Sequence, residues 1–544
     1  MGLWSFYFLA KLGLYAAGLI GFNWLPNLVF ALFLGAAPGG ERWRRWRFWI
    51  ALPIGIALFW ADSFWPPFVR VLREWDTLIQ VVPGYWLELL ARSVSWRVLG
   101  GLLLGGALWY GLNKRIRLGA LSVIAIASLP VLQWAQTQLR AEDRASAVQS
   151  VSAASEAASV DGVRASQEAV RAEPGPLLTP ADLTRLLQRF YDEQQGVTLK
   201  IAAAPTGSPP FDLVFISVDS LSWDDLRLLG LERHPALTRL DLLFRHFNSA
   251  ASYSVPAVLR LLQAPCGQAA QSALTQPAPA GCYLLEQLEQ LGYDTELRLN
   301  HEGNLGGFAQ KMKTHGRAAR LRVPDPGLPV AMKGVDDTPI RHDLDVLKPW
   351  IDAARTSQRP RALIYNTITL RDGHQVPGIG AQVTKETRTK VTAKFLGDLQ
   401  EIMRLLETSG RPTVMVLVPE HGAAIEGDPR QMPGMREFPT PRLTDVPAGL
   451  ALLGFGVDRP KTGPVIADQS ASYAALVEAV SVLSTTAPQR AHHALDQFIR
   501  RLPAITWVAE NDSTVVIQER GRTYMRTGDA DWTEYPAMPP AAQK

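Results

Sequence analysis

What most limits the fold of this 544-residue chain is a change of solvent preference about a quarter of the way along. Apolar, aromatic-rich stretches with few internal charges occupy residues 6–22, 28–37, 49–65, 99–112 and 118–134, and an ordinary globular mixture follows. A chain divided in this way folds in two surroundings, so at least two structural parts are expected. The third and fifth stretches are long enough to span a bilayer. The others sit at the short end of the about 17 to 25 residues a spanning helix needs, and Lys11 interrupts the first. The first stretch lacks a basic start and a small-residue cleavage site, so it reads as a retained helix rather than a signal peptide. A transmembrane domain of about five helices over residues 1–138 is the expectation.

Basic loops orient that domain. Arg42, Arg44, Arg45 and Arg47 lie between the second and third stretches, and Lys114, Arg115 and Arg117 between the fourth and fifth. With both loops in the cytoplasm, everything after residue 134 lies on the far side of the membrane. Residues 66–97, where Trp75, Trp86 and Trp96 stand among charges, read as interfacial helices. The Ala-, Ser-, Glu- and Val-rich residues 141–173 read as flexible chain within a linker over 139–205, which ends in a short amphipathic helix at 180–191.

From residue 206 to 536 the pattern is strands alternating with helices, the signature of an α/β sheet covered by helices, followed by a tail at 537–544. Strands are expected at 213–218, 362–368, 414–418 and 449–455, and helices at 284–291, 390–408 and 470–482. A hairpin is expected at 514–518 and 523–526 around Arg520-Gly521. The formal net charge of +4 is small for this length and the arginines cluster beside apolar segments, which excludes nucleic acid as partner and favours a membrane surface. The two cysteines, Cys266 and Cys282, would close a short loop. A disulfide outside the cytoplasm suits them, with two separate buried thiols as the alternative.

The run 414–418 has no polar alternation, so it reads as a strand covered on both faces, and it ends in Pro419-Glu420-His421-Gly422. Ligand sites in α/β sheets open at the carboxyl ends of such strands. The first strand ends similarly, in Ser217-Val218-Asp219-Ser220, where Asp219 is either a metal ligand or the cap of the following helix. Pro256 suits the first turn of a helix, which makes Ser254 its expected cap, at a helix start that offers N–H groups to a phosphate. A hydroxyl there is inert unless a bound divalent ion activates it. Together Asp219, Ser254, Glu420 and His421 could offer three oxygens and one nitrogen to a single Zn²⁺.

With these residues the chain resembles the membrane-anchored phosphoethanolamine transferases of the alkaline phosphatase superfamily, and within them the bacterial cellulose phosphoethanolamine transferases. The resemblance is carried by Ser220-Leu221-Ser222-Trp223, Phe247-Asn248-Ser249-Ala250, Ser252-Tyr253-Ser254, Arg260-Leu261-Leu262, Cys266-Gly267-Gln268, Pro419-Glu420-His421-Gly422 and Thr444-Asp445-Val446-Pro447. In the membrane part Trp24-Leu25-Pro26-Asn27-Leu28 and Trp49-Ile50-Ala51-Leu52-Pro53-Ile54-Gly55 also fit, less specifically. It implies an alkaline-phosphatase/sulfatase-like α/β/α sandwich holding one zinc per chain. The implied ligands are Asp219, Ser254, Glu420 and His421, with Ser254 as the nucleophile. Family members carry a cysteine where Asp219 stands, although acidic residues are usual at that point in the wider superfamily. The family's disulfide matches Cys266 and Cys282, its substrate-facing histidine falls on His374, and an arginine near the site falls on Arg436.

His374 would shuttle a proton, and Arg371 and Arg436 would clamp a phosphate. Tyr253, beside the nucleophile, orients substrate or packs. His301 with Gly303, Gly306 and Gly307 reads as loop architecture, and His492-His493 as solvent-facing. The implied reaction moves phosphoethanolamine from phosphatidylethanolamine through a phosphoethanolamine-serine to the 6-hydroxyl of glucose in nascent cellulose. The implied setting is the periplasmic side of the bacterial inner membrane, among membrane lipid and other cellulose synthase subunits. Two other readings stay open: the same chemistry on lipid A or another envelope glycan, and a membrane scaffold of the synthase complex whose centre has decayed, prompted by Asp219.

Overall fold

The computed structural model describes residues 3–17, 19–35, 41–63, 71–72, 75–83, 96–132, 177–207, 210–382, 384–428, 430–456 and 463–536. It divides into two units, Met1–Arg73 with Glu88–Glu173, and Glu74–Leu87 with Pro174–Lys544. The expected flexible stretch at 141–173, the tail at 537–544 and most of the expected interfacial region 66–97 lie outside the described residues.

In the first unit each of the five apolar stretches overlaps a helix: α1 (Leu3–Ala16), α2 (Trp24–Gly35), α3 (Glu41–Asp62), α4 (Trp96–Leu112) and a helical segment at 118–132. Phe8, Phe30, Ala31, Leu34, Ala51 and Ile126 form its buried cluster. Many other large apolar side chains, among them Leu25, Val29, Trp49, Ile56, Leu104, Leu108 and Ile124, are exposed. Among the described residues no helix is long and apolar enough to cross a membrane. α1 and α2 have 14 and 12 residues, and the 22 residues of α3 include its arginine-rich start. The expected continuous run 6–22 is broken, because α1 stops at Ala16.

Lys11, the charge that interrupts the first apolar stretch, is buried. Its Nζ lies 2.6 Å from Asp62 Oδ2 at the end of α3 and donates to Asn27 Oδ1 at 2.9 Å and to the Leu58 carbonyl at 3.1 Å. The other Asp62 oxygen accepts from the Asn23 backbone and side chain at 3.0 and 2.8 Å. A buried ion is tolerated only when its charge is answered and its hydrogen bonds are filled, and here both conditions are met by residues from three helices.

The second unit is built on a sheet of eight strands: β1 (Asp212–Val218), β2 (Leu242–Phe244), β3 (Asp294–Leu299), β4 (Leu321–Arg322), β5 (Arg361–Thr367), β6 (Thr413–Pro419), β7 (Gly449–Leu453) and β8 (Val465–Ala467). They lie in the order β8-β2-β7-β6-β1-β5-β3-β4, and only β7 runs against its neighbours. The central strands β1, β5 and β6 are buried at every residue, as their unbroken apolar runs require. Side chains alternate between two cores. Leu213 and Phe215 point to one, with Val258, Leu262, Leu284, Leu476 and Leu495; Val214 and Ile216 point to the other, with Leu226, Trp350, Phe395 and Leu399. This is the α/β/α sandwich expected from the alternation of strands and helices.

A second, antiparallel sheet carries β9 (Trp507–Glu510), β10 (Thr514–Glu519), β11 (Arg522–Thr527) and β12 (Thr533–Glu534). The expected hairpin is β10–β11, turned by Arg520 and Gly521 with φ of 50° and 74°. The helix expected at 180–191 as the end of a linker is longer, α5 (Pro180–Gln195), and packs into this unit. Its stripe Leu183, Leu187 and Phe190 meets Val508, Ile517, Tyr524 and Trp532 of the second sheet. Cys266 and Cys282 form a disulfide, with Cα atoms 5.0 Å apart.

The Lys11–Asp62 pair generates a test of what holds the first unit. Lys11→Met leaves a buried carboxylate unanswered and should destabilise the unit by about 3–5 kcal/mol, whereas Lys11→Met with Asp62→Leu should recover most of that loss. Thermal unfolding of the full-length chain measures both, and equal losses in the single and double variants would refute the pairing as the source.

Candidate metal centre

Strand register creates the site. Val218 of β1 pairs with Thr367 of β5 and with Pro419 of β6, so the next residues, Asp219 and Glu420, leave the sheet side by side. The ladder continues one step past the strands, with the Asp219 N–H donating to the Thr367 carbonyl at 3.0 Å and the Glu420 N–H to the Val218 carbonyl at 2.9 Å. The chain then turns sharply at Ser220, whose φ of 66° is uncommon for a non-glycine residue. Asp219 is not the cap of the next helix. That role falls to Ser222, which forms a capping box with Asp225 at the start of α6 (Trp223–Leu229) and leaves Asp219 to the site.

One ligand atom from each of Asp219, Glu420 and His421 lies within 4.8 Å of the others, and all three residues are buried. Ser254 joins them. It was expected to cap its helix, but the cap of α7 (Ser254–Leu262) is Tyr253, in extended conformation with φ of −138° and ψ of 149°. Ser254 therefore stands in the first turn with its hydroxyl unused by the helix, and it donates to Asp219 Oδ2 at 3.0 Å. The loop before it is tightly held. The Asn248 side chain accepts from the Ala250 N–H at 2.9 Å and donates to the Val508 carbonyl at 2.8 Å, and Ser252 Oγ donates to the Arg436 carbonyl at 2.7 Å.

Burial and the neighbouring Asp219 push the Glu420 carboxyl up to about 8. Burial would also raise Asp219, but His421, Arg371, Arg436 and the Ser220 hydroxyl outweigh it and hold that carboxyl below the usual range. Burial, reinforced by Arg436, lowers His421 to about 4, so its imidazole is neutral at neutral pH. His421 Nδ1 lies 3.0 Å from the Gly422 carbonyl, which only accepts, and 3.3 Å from Arg436 Nη1, which only donates; the shorter contact favours the ring proton on Nδ1, with the lone pair on Nε2. Two buried atoms of the cluster, Glu420 Oε2 and His421 Nε2, have no hydrogen-bond partner among the described residues. Two adjacent buried carboxylates, a bare imidazole nitrogen and a serine hydroxyl make a donor set that fits one divalent cation with nitrogen and oxygen ligands.

Arg371 and Arg436 line the more open side, with Arg371 Nε 3.9 Å from Asp219 Oδ2 and Arg436 Nη1 3.6 Å from Asp219 Oδ1. Arg436 also donates to Ser220 Oγ at 3.2 Å and lies 5.7 Å from the centre of the Tyr253 ring. His374, on the loop after β5, is buried, and burial followed by Arg371 lowers it to about 3. Its Nδ1 has no partner, and no hydrogen bond joins it to Ser254 among the described residues. His492 is not solvent-facing as expected, because its Nε2 lies 2.8 Å from Asp241 Oδ1.

Sequence reading missed a layer behind the cluster. Glu420 Oε1 accepts from Ser217 Oγ at 2.8 Å and from the Asn366 amide. Asn366 in turn meets His301, which its neighbouring glycines mark as loop. The available signal was their position, since Asn366 is the penultimate residue of β5, beside β1, and His301 lies just after β3 of the same sheet. Asp225 was likewise overlooked. Its Oδ2 accepts from Ser222 and from the Ala423 N–H at 2.8 Å and so ties the Glu420-His421 loop to α6.

Residues 4–131 match the family model described as cellulose biosynthesis protein BcsG N-terminal domain, and residues 167–532 match that of the BcsG C-terminal domain. The chain is 35% identical over 547 residues to the cellulose biosynthesis protein BcsG of Salmonella typhimurium strain LT2, covering 98% of this chain and 96% of that one. The same figures hold for BcsG of Escherichia coli strain K12. Among solved structures, the chain is similar to a protein in the alkaline phosphatase superfamily from Vibrio parahaemolyticus, with TM-score 0.46 and 14% identity over 65% of this chain and 88% of that one. It is also similar to the C-terminal periplasmic domain of EcEptC from Escherichia coli, with TM-score 0.43 and 15% identity over 64% and 98%.

Gly422 gives a direct test of how the loop is held. A Cβ there would lie 2.5 Å from Ser222 Oγ and 3.0 Å from Asp225 Oδ2, inside the capping box. Gly422→Ala should therefore destabilise the second unit by about 1–3 kcal/mol through overpacking, read by urea unfolding. Unchanged stability would mean that the loop and α6 are not locked together.

Proposed function

The chain belongs to the BcsG family of cellulose biosynthesis proteins, and on that basis we propose that its second unit is a zinc-dependent phosphoethanolamine transferase of the alkaline phosphatase type, acting on cellulose. The observation that carries this reading is the convergence of Asp219, Glu420 and His421 within 4.8 Å, with the Ser254 hydroxyl on Asp219 at a helix start.

Asp219, Ser254, Glu420 and His421 would hold the ion. A bound Zn²⁺ supplies positive charge that lowers the pKa of a nearby hydroxyl and balances charge on phosphate oxygens. Ser254 Oγ attacks the phosphorus of phosphatidylethanolamine. The bond from phosphorus to the diacylglycerol oxygen breaks, that oxygen takes a proton, and phosphoethanolamine remains esterified to Ser254. The 6-hydroxyl of a glucose unit in nascent cellulose then attacks the same phosphorus, gives up its proton, and returns the serine oxygen as a hydroxyl. Arg371 and Arg436 offer guanidinium N–H groups to the phosphate oxygens, and a guanidinium matches them in plane and charge. His374 offers a neutral imidazole, and the negative charge of a bound phosphate would raise its lowered basicity so that it accepts and returns the travelling proton. Tyr253 flanks the entry beside Arg436.

The first unit fits the role of inner-membrane anchor, with the catalytic unit on the periplasmic side. Its helices expose large apolar side chains, and an anchored enzyme stays near a lipid donor and an emerging polymer. The Cys266–Cys282 disulfide is consistent with an oxidising compartment.

Ser254→Ala should keep zinc yet lose at least about 1,000-fold in turnover of a chromogenic phosphoethanolamine ester, the scale expected for losing a nucleophile. Glu420→Ala and His421→Ala should lose both zinc and activity. Cellulose from cells carrying only Ser254→Ala should lack phosphoethanolamine by mass spectrometry. Wild-type turnover by the serine variant would reject the nucleophile, and retained phosphoethanolamine on that cellulose would reject the acceptor.

A further inference from the structure

The two oxygens of Glu420 are treated differently. Oε1 receives two donors, Ser217 Oγ and the Asn366 side-chain amide, while Oε2 is buried and has no hydrogen-bond partner among the described residues. The Asn366 share of this distinction depends on which way its amide faces, because an amide presents a donor at one end and an acceptor at the other. The acceptor end, Oδ1, lies 3.0 Å from His301 Nε2.

His301 itself is oriented by its own loop. Its Nδ1 accepts from the Gly303 N–H at 3.1 Å, so in a neutral ring the proton sits on Nε2 and is donated to Asn366. Burial lowers His301 to about 4, which keeps the ring neutral at neutral pH. The ring is 7% exposed and packs at 5.5 Å from Phe308. Gly303 has φ of 74°, and a Cβ there would lie 2.7 Å from Ala309 Cβ, so this close turn excludes a larger residue.

We propose that His301 is a positioning residue for the metal centre: its Nε2–H sets the Asn366 amide, the amide occupies Glu420 Oε1, and Oε2 alone is left to bind the ion. This rests on the metal-dependent reading above. Without the His301 donor, the Asn366 amide oxygen is left buried without that hydrogen bond, and the amide is held toward the carboxylate less firmly. The carboxylate then keeps only the Ser217 hydroxyl on Oε1 and loses one of the two contacts that separate its oxygens.

The test uses the full-length chain and measures Zn²⁺ affinity by competition with a chromophoric chelator, independent of turnover. His301→Phe keeps a flat ring and removes the donor, whereas His301→Gln keeps an N–H able to reach Asn366. The expected result is an affinity weakened about 10–100-fold in H301F, the scale for losing a group that orients a ligand, and near wild type in H301Q. Unchanged affinity in folded H301F overturns the proposal while leaving zinc binding intact. A wild-type chain that binds no zinc overturns it together with the metal reading. The ring nitrogen shifts of ¹⁵N-labelled His301 in the wild-type chain test it without any variant. A proton on Nε2 supports the relay, and one on Nδ1 overturns it.

Discussion

Two carboxylates, Asp219 and Glu420, are buried beside each other where parallel strands end, and that arrangement of like charges governs what surrounds it. Adjacent buried carboxylates cannot both ionise without compensation. The sheet register forces them together, since each directly follows a residue of the Val218–Pro419 pair. Compensation comes from Arg371 and Arg436 on the open side and from the hydroxyls of Ser217, Ser220 and Ser254. Glu420 Oε2 and His421 Nε2, without hydrogen-bond partners among the described residues, make the cluster a candidate cation site.

Rigidity at this point is built from local devices rather than from the sheet alone. Ser220 takes a left-handed turn that costs of order 1–3 kcal/mol and holds only because the surroundings over-determine it. Its hydroxyl bonds Asp219 and accepts from Arg436, and its carbonyl accepts from the buried Arg388 at 3.1 Å. Asp225 fastens the Glu420-His421 loop, and Asn248 shapes the loop that delivers Ser254.

The same rule, that a buried charge must be answered in full, appears in the first unit. Lys11 looked like a flaw in an apolar helix until its partner was located at Asp62, together with Asn27 and Asn23. Apolar periodicity located the helices, but it contained nothing to connect a lysine with an aspartate 51 positions later. The break in the first stretch at Ala16 was equally hidden, because the residues beyond it are as apolar as those before.

Residue order by itself determined the division into two parts, the strands and helices of the sandwich, and the four residues of the candidate site, because burial imposes continuous apolar runs and function leaves polar residues at their ends. Strand limits at 212–218, 361–367 and 413–419 fall within a residue or two of those read from the pattern. Register, however, is a long-range property, and only the tertiary structure decided that Val218 pairs with Pro419. It also decided that Tyr253 rather than Ser254 caps its helix, that α5 joins the globular unit, and that His301 stands behind Glu420 through Asn366. The physical reason is common to these cases. A hydrogen bond is specific in geometry but leaves no periodic trace in sequence, so partners 54 or 65 positions apart become visible only when the sheet brings them together.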